Sequence, residues 1–275
     1  MQREAFMLGT GFFERKFGQS KAKFIFDFDD AIWLQNVSAA NKKFQWLKNP
    51  EKTAEIASVA DLILVGNQYL ENYAKKFNAN AEIVPTTIDT KEYDPTGYKR
   101  EQDGTVCIGW SGSITTIQHF KWAKPFLKKI KDKYGDSVTF KVIGDENYGD
   151  EELGVKALPW RREDEIREIS SFDIGIMPLP DDEWARGKCG LKGLQYMALN
   201  VPTIMSPVGI NNEIIQDNEN GYLADEESEW LDKLTRLIES PELRNTIGKA
   251  GRQTVIDHYS FTSLKYRYLT LFNNL

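Results

Sequence analysis

The strongest constraint on the fold is a repeated alternation of short apolar runs with longer stretches of helical spacing. "KFIFDF" (23–28), "DLILVG" (61–66) and "AEIVP" (81–85) read as strands, with helices over 49–60 and 67–77. The pattern resumes with "TVCIGWSG" (105–112), "VTFKVIG" (138–144), "VKALPW" (155–160), "FDIGIMPL" (172–179) and "PTIMS" (202–206). Helices fall after residue 114, over 162–171 and after residue 190, and three amphipathic helices close the chain at about 226–239, 241–258 and 260–273. Short apolar runs bounded by glycine and proline are buried strands, and their alternation with helices predicts α/β architecture with parallel sheets covered on both faces. Residues 86–104 are polar and aperiodic, with Pro95 and two glycines, and read as a linker.

Charge narrows the function. With 35 basic and 41 acidic residues the net charge is -6, which argues against broad nucleic-acid binding but leaves room for a local basic pocket. Cys107 and Cys189 have no metal-ligand spacing and suggest a reducing compartment. No apolar run reaches the ~18 residues of a membrane span. "MQREAFMLGTGFFERKFG" mixes charges into its apolar residues and lacks a signal-peptide core. The expectation is a cytoplasmic protein without a nucleic-acid partner.

Ligands of open parallel sheets gather beyond the carboxyl ends of the strands. Three such ends stand out. In "GWSGSITT" (109–116), Gly112 and Ser113 open a turn that either cradles a phosphate or simply caps the next helix. In "LPWRRED" (158–164), Trp160 either stacks on a nucleobase or wedges into the protein, and Arg161 and Arg162 read as solvated. In "ARGKCGLKGLQYMALNVPTIMSPVG" (185–209), Leu191, Leu194 and Ala198 have core spacing, while Lys188, Lys192 and Gln195 share another helical face behind Gly187 and Gly190. Lysines at a helix start oppose its dipole, a penalty that a bound anion removes; the alternative is that they reach into water. In "FDFDD" (26–30), Asp29 and Asp30 end a strand and either orient a ligand hydroxyl or cap a helix. His119 and His258 read as structural or exposed.

Taken in order, "FDFDDAIW", "ADLILVGNQYLENYAKKF", "VPTTIDTKEYDP", "CIGWSGS", "KVIGD", "DIGIMPLPDDEWARGKCGLKGLQYMALNVPTIMSPVG" and "NGYLADEESEWLDKLTRLIESPELRNTIGKAGRQTVIDHYSF" resemble the retaining glycosyltransferases of the GT-B fold (glycosyl transferases group 1). The resemblance implies two Rossmann-like domains: an acceptor-side domain at 1–97 and a nucleotide-sugar donor domain at 98–258. A helix at 259–275 would return to the first domain through Phe261, Leu264, Tyr268 and Leu271. It implies a hexosyltransferase-type enzyme that moves a sugar from a UDP- or GDP-linked donor to a glycan or lipid-linked acceptor in bacterial surface polysaccharide synthesis, with retention and without cofactor or metal. It also leaves room for peripheral contact with the inner membrane.

Two departures qualify it. Many relatives carry two glutamates with seven residues between them, one on the donor sugar and one on the ribose; here those positions are Gly187 and Gln195. Gln195 can still bond a ribose hydroxyl, and Asp181 or Asp182 would replace the first glutamate. Relatives also place basic side chains after the first strand of the donor domain. "GWSGSITT" has none, so Lys192, supported by Lys188, is assigned to the diphosphate together with the Gly112–Ser113 backbone and Gly190. The second departure is that residues 1–97 lack the family's opening strand–helix units. The first domain is therefore expected to be incomplete, to self-associate through an exposed sheet edge and to transfer poorly, the alternative function being a nucleotide-sugar binding module without turnover.

Overall fold

The apolar runs become the strands of two separate parallel sheets in a computed structural model that describes residues 1–3, 11–34, 49, 51–98 and 104–275. In chain order the elements are α1 (Phe12–Gly18), β1 (Ile25–Phe28), α2 (Glu51–Val59), β2 (Leu62–Val65), α3 (Gln68–Ala74), β3 (Ala81–Ile83), β4 (Val106–Ser111), α4 (Ile117–Tyr134), β5 (Val138–Ile143) and β6 (Lys156–Leu158). There follow α5 (Arg162–Ser170), β7 (Ile174–Met177), α6 (Glu183–Arg186), α7 (Leu191–Ala198), β8 (Thr203–Met205), α8 (Asn211–Ile214), β9 (Tyr222–Leu223), α9 (Glu227–Glu239), α10 (Pro241–His258) and α11 (Phe261–Asn273). Of the expected linker, Pro95–Gly97 form a single 3-10 turn, and residues 99–103 lie outside the described residues.

Two units divide the chain. The first comprises Met1–Thr86, Asp181–Cys189 and Leu264–Leu275. Its sheet has the order β1-β2-β3, all parallel, and a bridge between Gln2 and Asp27 extends the β1 side. Four consecutive buried residues, Leu62 to Val65, make β2 the centre, as expected of a strand covered on both faces. Phe26, Phe28, Ile56, Ile63 and Leu70 fill one side of the core. On the other side, Tyr268 and Leu271 pack with Leu62, Leu64 and Val84. Phe261 does not share that half-buried face; it is 56% exposed, about two turns before Tyr268.

The second unit comprises Thr87–Pro180 and Gly190–Ser263. Its six parallel strands run β6-β5-β4-β7-β8-β9. Successive strands move outward from β4 on one side and from β7 on the other, so the strand order reverses between β4 and β7. The crevice for a ligand therefore lies beyond Ser111 and Met177, where the loops of neighbouring crossovers diverge. The core beneath it is aromatic. Trp110 and Phe120 are fully buried, and Phe126 stacks on Trp230 at 4.7 Å between centroids. Among the described residues, no helix is long and apolar enough to cross a membrane.

Candidate functional site

In the second unit, β4 delivers Gly112 to the switch point. The Gly112 N–H donates to Ile143 O at 2.9 Å, extending the ladder one residue past the strand. A side chain here would meet the Trp110 ring at 2.1 Å, so only glycine lets the turn close over the buried indole. Ser113 N–H donates to Thr116 Oγ1 at 3.0 Å, and its hydroxyl lies 2.8 Å from that of Thr115. The backbone donors expected to hold a phosphate are thus already bonded within the protein. What the turn offers a ligand is a cluster of hydroxyls.

Lys192 is brought to this turn from another element. Gly190 adopts φ +72° ahead of α7, a left-handed entry that favours glycine, and α7 then carries Lys192 in its first turn. The Lys192 ammonium lies 5.4 Å from the centroid of Trp110, the ring that abuts Gly112. Two of the residues assigned to the diphosphate therefore meet around one indole. Leu191, expected in the core, is 47% exposed. As the first residue of α7 its side chain points back past the helix start, where no turn lies beneath it. Gln195 is buried, and its amide N–H donates to the Tyr93 hydroxyl at 2.6 Å. Trp160 is 51% exposed rather than wedged, and its indole N–H is fixed by Glu165 at 2.6 Å.

The first unit holds the remaining assigned residues. Lys188 precedes α7, so it does not share a helical face with Lys192 and Gln195 as the spacing suggests. Its ammonium donates to Asp30 Oδ1 at 2.7 Å and lies over Trp184 at 4.8 Å. The Arg3 guanidinium bridges Asp29 and Asp30 at 3.0 and 2.8 Å. Among the described residues the two aspartates cap no helix; they and Lys188 form one charge cluster beyond β1, in which the Lys188 ammonium is paired with Asp30. Arg3 gave no sequence signal, because its partners lie 26 and 27 residues away.

Asp181 and Asp182 also have partners. Arg186 grips Asp181 with two bonds of 2.7 and 2.9 Å, and these hold its carboxyl below the usual range. Asp182 caps α6, accepting from Ala185 N–H at 2.7 Å. At Gly187, where the resemblance leads one to expect a glutamate, packing leaves no room for a side chain. A Cβ there would lie 2.7 Å from Ala31 Cβ and 3.0 Å from Ala31 N, and Ala31 is fully buried. Gly187→Ala is therefore expected to cost about 1–3 kcal/mol by overpacking, read as a lower midpoint in urea. An unchanged midpoint would show that the Ala31 segment yields freely.

Residues 105–240 match the family described as glycosyl transferases group 1. The chain is similar to spore coat protein SA of Bacillus subtilis (strain 168), 22% identical, over 88% of this chain and 72% of that one. A shorter stretch, 31% of this chain and 18% of the relative, is 28% identical to the poly(ribitol-phosphate) alpha-N-acetylglucosaminyltransferase of Staphylococcus aureus (strain COL). Among solved structures, Anabaena HepE in complex with UDP and glucose superposes with a TM-score of 0.70, at 13% identity, over 93% of this chain and 72% of that one.

Proposed function

Since the chain is a group 1 glycosyltransferase of the GT-B fold, we propose that it moves a hexose from a UDP- or GDP-linked donor to a glycan or lipid-linked acceptor in bacterial surface polysaccharide synthesis, with retention. The observation that carries the donor assignment is the meeting of Lys192, the Trp110 indole and the Gly112 turn at the switch point of the second unit. The similar HepE is solved with UDP and glucose, and the Staphylococcus relative is named for transfer of N-acetylglucosamine to poly(ribitol-phosphate); both support a nucleotide-linked hexose and a glycan acceptor.

In this reading the bond between the sugar and the β-phosphate oxygen breaks, and negative charge grows on the diphosphate. The Lys192 ammonium and the hydroxyls of Ser113 and Thr115 stabilise that charge with preset dipoles. The acceptor oxygen bonds the sugar on the face the diphosphate leaves, and its proton passes to the leaving phosphate. Donor binding then needs no divalent metal and is expected to be the same with EDTA. Lys192→Ala is expected to weaken UDP or GDP by about 10- to 100-fold while sparing uridine or guanosine, since one charge-assisted contact is worth ~1.5–3 kcal/mol. Calorimetric titration decides it. Equal affinity of mutant and wild type for the diphosphate would remove Lys192 from the site, and strict dependence on magnesium or manganese would reject metal-free binding.

A further inference from the structure

Four side chains of the second unit form one continuous hydrogen-bonded chain. Trp160 Nε1 donates to Glu165 Oε1 at 2.6 Å, the Tyr93 hydroxyl donates to Glu165 Oε2 at 2.6 Å, and Gln195 Nε2 donates to the Tyr93 oxygen at 2.6 Å. The chemistry of the groups sets the direction of every bond. An indole N–H can only donate, and a carboxylate can only accept. The phenol must therefore give its proton to Glu165, which leaves its oxygen to accept from the amide. Burial, and then the bond to Glu165, push the Tyr93 phenol up, so it keeps that proton throughout the working pH range. With one N–H of its NH2 group turned to Tyr93, Gln195 has its amide orientation set, and its carbonyl oxygen is the group that can accept.

We infer that Tyr93 and Glu165 are positioning residues of the nucleotide site, which hold the Trp160 ring as a platform for the base and fix the Gln195 amide so that its oxygen accepts from a ribose hydroxyl. The inference rests on the donor reading above and adds two residues to it. The backbone supports the same function. Arg252 donates to the carbonyl of Tyr93 at 2.7 Å and also to that of Ala198, so the segment carrying Tyr93 is tied to the end of the helix that carries Gln195. Trp160 meanwhile is anchored through its N–H edge and stays 51% exposed, which leaves ring surface for stacking.

The test compares UDP and GDP with their 2′,3′-dideoxy forms, and with pyrophosphate, by titration of the full chain. Wild type is expected to prefer the ribose form of its nucleotide about tenfold, the worth of a well-placed hydrogen bond. Tyr93→Phe keeps the ring and removes the relay; its preference is expected to fall to near one, with pyrophosphate affinity unchanged. Should that variant not fold, Glu165→Gln, which keeps the shape but no longer demands two donors, must show the same loss. A ribose preference kept in the variant, or absent in wild type that binds the nucleotide, overturns the inference alone. Failure of wild type to bind either nucleotide overturns the donor reading and this inference with it.

Discussion

Replacing Gly144 by alanine is expected to destabilise the second unit by about 3 kcal/mol or more and to remove nucleotide binding with it. Gly144 follows β5 at φ +131°, a conformation that costs an L-residue ~1–3 kcal/mol. The new methyl would also lie 2.2 Å from the carbonyl oxygen of Gly112 and 2.7 Å from its carbon. Neither neighbour can yield. Gly112 N–H is bonded to Ile143 O, and Gly144 N–H to Leu158 O at 2.8 Å, so both sides of the contact belong to the sheet ladder. Overpacking against fixed backbone adds a further ~1–3 kcal/mol. Because the displaced residue is Gly112, the damage falls on the turn that meets Lys192. Gly149→Ala is the control: nothing lies within 4 Å of its added methyl, and its effect should stay within about 0.5 kcal/mol. Urea unfolding of both variants decides it, and equal midpoints would reject the argument.

The strands were legible because burial on both faces leaves a continuous apolar run, as in the four buried residues of β2 and the six of β4. The same runs, with their terminal glycines, pointed to the strand ends where Gly112 and Lys192 now meet. Helix starts were less legible. Periodicity assumes an unbroken helix, so by spacing Lys188 falls on the face of Lys192 and Gln195. The left-handed turn at Gly190 interrupts that spacing, and Lys188 joins Asp30 instead. Tyr93 and Glu165 left no trace of their role, because their bonds join residues 72 and 102 positions apart and no local pattern encodes such pairs. The helix α1 is hidden from periodicity for a plainer reason. It inverts the usual pattern: Phe12, Phe13 and Phe17 are about half exposed, while the residue it buries is Glu14.

That inversion makes Lys52→Met the other substitution with a large expected effect, a loss of about 3–5 kcal/mol in the first unit. The Lys52 ammonium lies 2.9 Å from Glu14 Oε1, and the two side chains are 1% and 0% exposed. With its phenylalanines outward, α1 is held on α2 by this pair, by Arg15 and the Gly11 N–H on Glu55 at 3.0 Å each, and by close packing of Gly18 on Val59. Removing the lysine charge takes from the buried Glu14 carboxylate the ammonium that answers it, and so weakens the seat of α1 on α2. The pair itself need not stabilise the fold, since desolvating two ions offsets most of their attraction. The double variant Glu14→Leu with Lys52→Met should therefore recover most of the loss, and a double-mutant cycle isolates the coupling. Urea midpoints at neutral pH read all four proteins. If Lys52→Met alone matches wild type, or if the double variant is as unstable as the sum of the two singles, the buried pair does not anchor α1.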